Sequence, residues 1–432
     1  MSLQETVSAE RVHIAWFGLR NAGKSSLVNA VTGQDVSIVS EVRGTTTDPV
    51  RKAMELLPLG PVVIIDTPGL DDEGELGRLR VERTKRILAQ TDIAVLAVDA
   101  AIGLTELDRE ILAEIISRKI PFAVAYTKAD LVSGEERAKC AAEAEQYGKS
   151  AVEAEKTTVG EPSQDNVPEG DRFPYVFTSA VTGEGIRELK ELLGSFAPKV
   201  AKEKRILTDL IEPGSTVVLV TPIDSSAPKG RLILPQQLTL RELLDAHCTA
   251  IVCQPEELAD TLASLRRPPA LVVTDSQAFA KVNAIVPADV KLTSFSILFA
   301  RYKGNLRTLV DGARTLDRLT RNDRVLISEG CTHHRQCEDI GTVKLPAWIE
   351  KHVGFRPQFE FTSGGDFPSD LSGYRMVIHC GGCTLPEREM QRRLDTATAE
   401  GVPIVNYGIA IAHMNGILTR SLSVFEKEKT EE

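Results

Sequence analysis

Residues 12–26 read VHIAWFGLRNAGKSS, and this stretch decides the fold of the first part of the chain. Residues 12–17 predict a buried strand, and residues 18–26 fit the glycine-rich P-loop pattern that leads from a strand into a helix. The glycines let backbone N–H groups point at phosphate oxygens, Lys24 supplies a cation, and the Ser25 hydroxyl can ligate Mg²⁺. The predicted phosphate-binding residues are Gly18, Asn21, Ala22, Gly23, Lys24, Ser25 and Ser26.

Two further segments extend this phosphate site. The DTPG segment at residues 66–69 follows a predicted buried strand, so Asp66 should reach Mg²⁺ through water and the Gly69 N–H should contact the γ-phosphate. The GTTTD segment at residues 44–48 offers Thr46, with Thr45 as second choice, to close over Mg²⁺ and the γ-phosphate; a β-rich loop without this role is the alternative. The predicted catalytic residues are Lys24, Thr46 and Gly69, and the predicted Mg²⁺ site comprises Ser25, Thr46 and Asp66.

Two loops after later strands predict a guanine base. Thr127, Lys128 and Asp130 follow one predicted strand. The Asp130 carboxylate can accept hydrogen bonds from N1 and the 2-amino group of guanine, a donor pair that adenine lacks. Ser179 and Ala180 follow the last strand of this part and can present a backbone N–H to the guanine oxygen. The set therefore predicts binding of GTP and GDP rather than adenine nucleotides.

These loops resemble the TrmE–Era group of P-loop GTPases over residues 10–197. That group often has Asn at the position of Asn21, where it helps to bind K⁺, and an apolar residue at the position of Leu70, where Ras-like proteins carry a catalytic Gln. The resemblance implies GTP hydrolysis activated by K⁺. Thr127 departs from the group, which has Asn at this position, and this puts the strength of guanine selection in doubt.

The fold class predicted for the whole chain is α/β, with a P-loop GTPase domain followed by two further α/β domains of mainly parallel sheets. Strand and helix patterns alternate along most of the 432 residues, which is typical of parallel sheets covered by helices. A charged segment at residues 197–206 separates the first domain from the rest. The predicted domains are residues 10–197, 205–290 and 291–423, with the third beginning near Leu292.

Composition limits the possible functions. Apolar residues at 42% and charged residues at 26% are ordinary for globular domains. A net charge of −10 argues against a nucleic-acid partner, because such proteins bind phosphates through Lys and Arg. No apolar run reaches the roughly 18 residues of a membrane span, and the start of the chain lacks a signal-peptide pattern. We therefore expect a cytoplasmic protein without a membrane or nucleic-acid partner.

Cysteine and histidine residues cluster at two places late in the chain. Cys331 and His333 follow one predicted buried strand, and His379, Cys380 and Cys383 follow another. Because parallel sheets bind ligands at the carboxyl ends of their strands, three thiolates could meet at one point and hold zinc or an iron–sulfur cluster. Core cysteines with a redox pair are the alternative. The residues expected to be ordinary are Cys140, Cys248, Cys253, Cys337, His13, His247, His352 and His413.

The whole chain resembles the HydF family of FeFe-hydrogenase maturation GTPases. The resemblance rests on the GTPase loops, on the late C-x-H…H-C-x-x-C pattern, and on residues 227–236 (APKGRLILPQ), whose pattern alone predicts only a loop and a short strand. It implies a 4Fe–4S cluster held by Cys331, Cys380 and Cys383, with Glu329, His379 or His333 as a weak fourth ligand. It also implies a homodimer whose partners are the apo-hydrogenase and radical-SAM maturases.

The function predicted on this basis is that of a GTP-hydrolysing carrier, which binds a 4Fe–4S cluster and transfers the diiron precursor of the H-cluster to the apo-hydrogenase. One alternative is a ribosome- or RNA-modification-associated GTPase of the TrmE–Era group with a structural zinc site. Another is a redox-sensing regulatory GTPase. Iron with sulfide, zinc, or no metal in the purified protein would distinguish the three.

Overall fold

The computed structural model describes residues 11–34, 50–67, 84–158, 173–196, 204–223, 232–330, 340–364, 366–383 and 385–426, with the backbone alone at 50 and 149–158. The chain divides into two compact units, and the division falls between Ala201 and Lys202. None of the described helices combines the length and apolarity that a bilayer-spanning helix requires.

The first unit is built on a six-stranded sheet. Its strands are β1 (Val12–Gly18), β2 (Val50–Leu56), β3 (Gly60–Asp66), β4 (Ile93–Asp99), β5 (Phe122–Thr127) and β6 (Tyr175–Phe177). The order in the sheet is β2-β3-β1-β4-β5-β6, and all pairs are parallel except β2 with β3. The helices are α1 (Lys24–Thr32), α2 (Glu106–Ser117), α3 (Gly134–Thr158) and α4 (Ile186–Phe196), and residues 84–88 are also helical.

Both faces of this sheet are buried, which explains the unbroken apolar runs of its central strands. In β1, Ile14 and Trp16 belong to one core cluster, while Ala15 and Phe17 belong to the cluster on the other side. The apolar runs at residues 12–17, 62–65, 93–98, 122–126 and 175–177 predict the five parallel strands, which the structure confirms, but no pattern indicated β2. Its segment VRKAMEL is rich in charge and lies at the edge of the sheet, where one strand neighbour is enough.

The second unit contains two four-stranded parallel sheets. The first has β7 (Thr216–Val220), β8 (Thr249–Cys253), β9 (Leu271–Thr274) and β10 (Leu292–Ser294), in the order β10-β9-β7-β8. The second has β11 (Arg324–Glu329), β12 (Gln358–Ser363), β13 (Met376–His379) and β14 (Ile404–Asn406), in the order β12-β11-β13-β14. The helices are α5 (Leu234–Asp245), α6 (Leu258–Ser264), α7 (Phe279–Ile285), α8 (Phe295–Lys303), α9 (Leu306–Ala313), α10 (Leu345–Val353), α11 (Glu387–Ala399), α12 (Tyr407–Met414) and α13 (Leu418–Leu422).

Two details of the second unit differ from the sequence prediction. The strand at Leu292 was assigned to the third domain, which is wrong, because it pairs with Leu271–Thr274 in the earlier sheet. One continuous core, which includes Val218 and Phe279 as well as Ile327, joins the two sheets. The short strand predicted within residues 227–236 is also wrong where the structure describes it, because helix α5 begins at Leu234.

Candidate nucleotide site and candidate cysteine site

The P-loop crosses the carboxyl end of the first sheet, between the last residue of β1 and the first residue of α1. A side chain at Gly18 would place its Cβ 2.5 Å from the Ala97 carbonyl oxygen on the neighbouring strand, so only glycine fits. Asn21 and Gly23 both have left-handed backbones, with φ of 62° and 75°, and turn the chain sharply into the helix. The resulting helix N-terminus, with N–H groups directed outward, is a favourable place for phosphate.

The charged groups predicted to bind phosphate and Mg²⁺ lie together at this edge. The Lys24 ammonium forms an ion pair with the Asp66 carboxylate at the end of β3. The Ser25 hydroxyl lies 3.5 Å from the second Asp66 oxygen. Lys24 and Asp66 are only 8% and 7% exposed, so each charge needs the other as a partner. The arrangement places one cation, one carboxylate and one hydroxyl where a metal–phosphate group would require them.

Thr127 connects the base-recognition loop to the P-loop. Its hydroxyl donates a hydrogen bond to the Ala22 carbonyl oxygen at 2.6 Å, and the Val98 carbonyl oxygen lies further away, at 3.1 Å. A hydroxyl has one hydrogen to donate, so the shorter contact takes it. The side chain is 3% exposed and packs against Gly23, whose added Cβ would lie 3.2 Å from the hydroxyl oxygen. Threonine at this position therefore still ties the two loops together.

The rest of the base-recognition region is held by local bonds. Lys128 has a left-handed backbone, and its ammonium bonds the Asp99 carboxylate at 2.7 Å. The Ala129 N–H donates to the Thr178 carbonyl at 3.1 Å, which joins this loop to the one after β6. The carboxylate of Asp130 and the residue Ala180 are exposed beside this junction.

Ser179, which was predicted to lie near the base, shapes the loop after β6. Its hydroxyl accepts the N–H groups of Val181 and Thr182 at 3.2 and 3.1 Å, and the turn carries Ala180 to the surface. The structure thus brings together the predicted residues of the P-loop, Asp66 and both base loops. Thr45, Thr46, Gly69 and Leu70 lie outside the described residues.

The cysteine site is built from the ends of two neighbouring strands in the last sheet. Strands β11 and β13 are parallel, with Ser328 opposite His379, so Gly330 and Cys380 emerge at the same edge. The Gly330 N–H donates to the Cys380 sulfur at 3.0 Å, and the Gly382 N–H approaches the same sulfur at 3.4 Å. Cys331, which follows Gly330 directly, lies outside the described residues, as do His333 and Cys337.

The environment of Cys380 penalises a free thiolate. Burial raises the pKa of the Cys380 thiol to about 11, the nearby Cys383 and Glu329 add to the effect, and the two backbone N–H groups oppose it. A bound cation or metal cluster reverses this balance, because it stabilises the deprotonated sulfur directly. Cysteine sulfurs that ligate iron–sulfur clusters also commonly accept hydrogen bonds from backbone N–H groups. The described part of the site offers two thiol groups and backbone N–H donors, which could hold a metal or a cluster.

A buried lysine lies under the cysteine loop. Lys303, the last residue of α8, is 3% exposed, and its ammonium donates to the carbonyl oxygens of Cys383 and Leu385 at 3.3 and 3.4 Å. These bonds hold the end of α8 against the loop that carries Cys383. Sequence reasoning missed this contact, because its partners are 80 residues or more apart.

His379 is held in a buried hydrogen-bond network. Its Nδ1 lies 2.7 Å from the Cys380 carbonyl oxygen, which can only accept, so Nδ1 carries the hydrogen and donates it. Its Nε2 accepts from the Arg393 guanidinium at 2.9 Å, and that guanidinium also bonds the buried Glu389 carboxylate at 2.7 Å. Burial, followed by the positive charge of Arg393, lowers the pKa of His379 to about 3.

This network corrects one sequence expectation. Both nitrogens of His379 are occupied, so the geometry contradicts its candidacy as the weak fourth ligand. Glu329 keeps that candidacy among the described residues: it is 6% exposed, lies next to Gly330, and accepts a hydrogen bond from the Tyr407 hydroxyl at 3.5 Å. Sequence reasoning missed Arg393 because its segment EREMQRRL has the pattern of a charged surface helix.

With both sites described, the comparisons place the chain. The family described as 50S ribosome-binding GTPase matches residues 13–128, which agrees with the geometry of the first unit. That unit is the nucleotide-binding domain of a P-loop GTPase. Families described as the hydrogen maturase F dimerization domain and tetramerization domain match residues 206–304 and 307–424. The chain belongs to the hydrogen maturase F family. These two matches account for the sequence of the second unit, whereas the RNA-modification alternative offers no counterpart for it.

Individual relatives cover less of the chain. GTPase Der of Kosmotoga olearia is 31% identical over 256 residues, which are 57% of this chain and 53% of that protein. The tRNA modification GTPase MnmE of Dechloromonas aromatica is 39% identical over 121 residues, 28% of this chain and 27% of that protein. The chain thus spans about half the length, or less, of these relatives. A crystal structure of Era from Aquifex aeolicus is 18% identical with a TM-score of 0.33, covering 56% of this chain and 92% of that one.

Proposed function

We propose that the first unit hydrolyses GTP and that the second unit carries a 4Fe–4S cluster, so that the chain acts as a carrier in FeFe-hydrogenase maturation. The observation that carries the proposal is the Cys380 sulfur, which receives backbone N–H groups from two strand ends at the edge where Cys331 follows. The diiron precursor of the H-cluster is the cargo, and the apo-hydrogenase and radical-SAM maturases are the partners. The family membership of the chain supports this choice over other cluster proteins.

In the first unit, the proposed roles follow from charge and position. Lys24 binds the β- and γ-phosphates, Ser25 and Asp66 hold Mg²⁺, and the metal supplies positive charge beside the phosphate being transferred. Asp130, exposed next to the loop of Ala180, selects guanine through its two-acceptor carboxylate. Thr46 and the Gly69 N–H are proposed to complete the γ-phosphate site.

We also propose that K⁺ activates the hydrolysis. Asn21 is exposed in the P-loop turn and has a left-handed backbone. Exchange of K⁺ for Na⁺ at constant ionic strength should slow hydrolysis at least roughly tenfold and leave GDP affinity nearly unchanged, since the ion neutralises charge that develops in the transition state. Steady-state phosphate release measures the effect. Equal rates in the two salts, or an Asn21→Ala variant that keeps the difference, would remove the potassium proposal.

In the second unit, Cys331, Cys380 and Cys383 are proposed to hold the cluster, with Glu329 as a weak ligand to the remaining iron. The N–H groups of Gly330 and Gly382 stabilise negative charge on the Cys380 sulfur, and Lys303 holds the loop by bonding the Cys383 and Leu385 carbonyl oxygens. A carboxylate binds iron less tightly than a thiolate does, so the fourth position would stay exchangeable. An exchangeable position is what a carrier needs in order to accept and release cargo.

The same unit is proposed to form a homodimer. The matched families are a dimerization and a tetramerization domain, which supports oligomerisation of this chain. Strand β8 lies at the edge of its sheet, and its Val252 side chain is 44% exposed. An edge strand with an apolar exposed residue is a favourable surface for a second copy.

The test of the cluster is iron and acid-labile sulfide measured on anaerobically purified full-length protein. We expect about four irons and four sulfides per chain in the parent, and loss of most of both in Cys380→Ser, because a hydroxyl is a poor iron ligand. Glu329→Gln should retain most of the iron. Cys253→Ser is the matched control, since this half-buried cysteine lies in the same compact unit outside the site.

The outcomes separate the hypotheses clearly. Zinc at one equivalent, lost in Cys380→Ser, would replace the cluster by a structural zinc site. Protein without iron, sulfide or zinc would favour the redox-sensing alternative. Loss of iron in Cys253→Ser but not in Cys380→Ser would place the cluster elsewhere in the chain.

A further inference from the structure

A second group of metal-binding side chains lies in the last sheet's domain. Asp317 comes from the 3₁₀ turn at Leu316–Arg318, His352 from the end of α10, and His413 from the end of α12. One ligand atom from each residue lies within 4.8 Å of the other two. His352 and His413 are 35 and 96 positions away from Asp317, so sequence reasoning interpreted them as ordinary histidines without neighbouring metal ligands. The structure instead places both beside the Asp317 carboxylate.

Both histidines face the same carboxylate. His352 Nε2 lies 2.8 Å from one Asp317 oxygen, and His413 Nε2 lies 2.9 Å from the other. The two rings are neighbours in an edge-to-face arrangement, with centroids 6.0 Å apart and planes at 64°. The Nε2 atoms of both rings are directed at the two oxygens of one carboxylate. Two imidazoles and one carboxylate form a donor set that suits borderline divalent metals.

We propose that Asp317, His352 and His413 bind a divalent first-row transition-metal ion, zinc or ferrous iron, at a site separate from the cysteines. Each imidazole would bind through Nε2 with its hydrogen on Nδ1, and the carboxylate through one oxygen. Water completes the coordination, as in other three-residue metal sites.

The adjustment needed for metal binding is small. Metal bonds of 2.0–2.1 Å in tetrahedral geometry place neighbouring ligand atoms about 3.3 Å apart. The two Nε2–oxygen contacts, at 2.8 and 2.9 Å, must open by about 0.5 Å, and one imidazole must shift from its own Asp317 oxygen toward the oxygen that binds the metal. Asp317 is 52% exposed as a side chain, and His352 and His413 are 25% and 18% exposed. Side chains with this exposure can rotate without disturbing the core. An ion can also reach them directly from solvent.

The site stands at the far end of the helix that begins beside the cysteines. Tyr407, which contacts Glu329, is the first residue of α12, and His413 lies in its last turn. Six residues of helix correspond to about 9 Å along the axis. Neither histidine touches the cysteine loop in the described contacts, so a metal at one site can be removed by mutation without changing the other.

The test uses full-length protein and Co²⁺ as a spectroscopic probe in anaerobic equilibrium dialysis. We expect the parent to bind one Co²⁺ per chain more than the His352→Gln/His413→Gln double variant. The difference spectrum should contain only weak visible bands, because no sulfur ligand is present. Asp317→Asn should weaken the affinity for this Co²⁺ ion at least roughly tenfold, since a neutral amide oxygen replaces a charged ligand. His247→Asn is the matched control, an exposed histidine with a left-handed backbone that Asn tolerates.

Several results would overturn the proposal. Equal Co²⁺ stoichiometry in parent and double variant would leave the three residues as a hydrogen-bonded bridge. Intense sulfur-to-cobalt bands in the difference spectrum would assign the ion to the cysteines. Failure of both Zn²⁺ and Fe²⁺ to displace the Co²⁺ would also contradict it, whereas displacement by either supports it and identifies the preferred ion. Unchanged melting of the variants without metal verifies that they are folded.

Discussion

The nucleotide site and the cysteine site both lie at the carboxyl ends of parallel strands. They differ in how their charged side chains are paired. In the first, Lys24 and Asp66 neutralise each other, and both can exchange that partner for phosphate and metal. In the second, His379, Arg393 and Glu389 form a fixed network with every member buried. The difference suits a ligand that comes and goes in one case and a resident group in the other.

The largest effect is expected for Lys24→Ala. Removal of the buried Lys24 ammonium should slow GTP hydrolysis at least ~100-fold, because its charge stabilises the phosphates in the transition state. Iron and sulfide content should stay equal to those of the parent. Phosphate release and anaerobic iron analysis measure the two. Lys139→Ala, an exposed lysine on α3, is the control. A loss of iron in Lys24→Ala would mean that the sites are not separable.

The second effect concerns the fixed network. Arg393→Met nearly keeps the volume but removes the guanidinium that bonds both His379 and Glu389. The buried His379 Nε2 loses its donor and Glu389 keeps the partly exposed Arg392 as a partner, so the change should cost about 3 kcal/mol. Urea unfolding followed by tryptophan emission measures the loss, since Trp16 and Trp348 report the first and second units respectively.

Arg392→Met is the control for this variant. Arg392 also bonds Glu389, at 2.8 Å, but its side chain is 32% exposed, so its loss should cost about 1 kcal/mol or less. Equal destabilisation by the two variants would show that burial of Arg393 does not set the strength of the network.

The smallest effect is expected at Thr127. Thr127→Val removes the hydrogen bond to the Ala22 carbonyl at nearly constant volume, which should cost about 1–1.5 kcal/mol, or about 5- to 10-fold in GDP affinity. Thr127→Ser keeps the hydroxyl and should bind GDP like the parent. Titration with a fluorescent GDP analogue measures both. If valine and serine variants bind equally well, the bond between the two loops does not contribute to affinity.

Local sequence patterns were enough to predict the residues that we propose as ligand contacts. The P-loop, Asp66, the base loops and the C-x-x-C pair are short motifs placed after strands, and strand burial could be predicted from continuous apolar runs. Their approximate positions in space follow because parallel strands carry such loops to one edge of a sheet.

The partners that hold these residues could not be predicted in this way. Arg393, Lys303 and Tyr407 reach the cysteine site through tertiary packing, and nothing in their own segments distinguishes them from surface or core residues. The same holds for Asp317 and its two histidines. Strand Leu292–Ser294 was assigned to the wrong sheet because three residues of pattern cannot specify a partner strand.

Lys303 has one consequence for assembly. It ends α8 within the range matched by the dimerization family, whereas the carbonyl oxygens that it bonds belong to the range matched by the tetramerization family. A movement of α8 relative to the cysteine loop during subunit association would change the distance between this ammonium and the carbonyl oxygens of the loop. By thermodynamic linkage, the tendency to associate and the affinity for the proposed cluster would then each respond to the other.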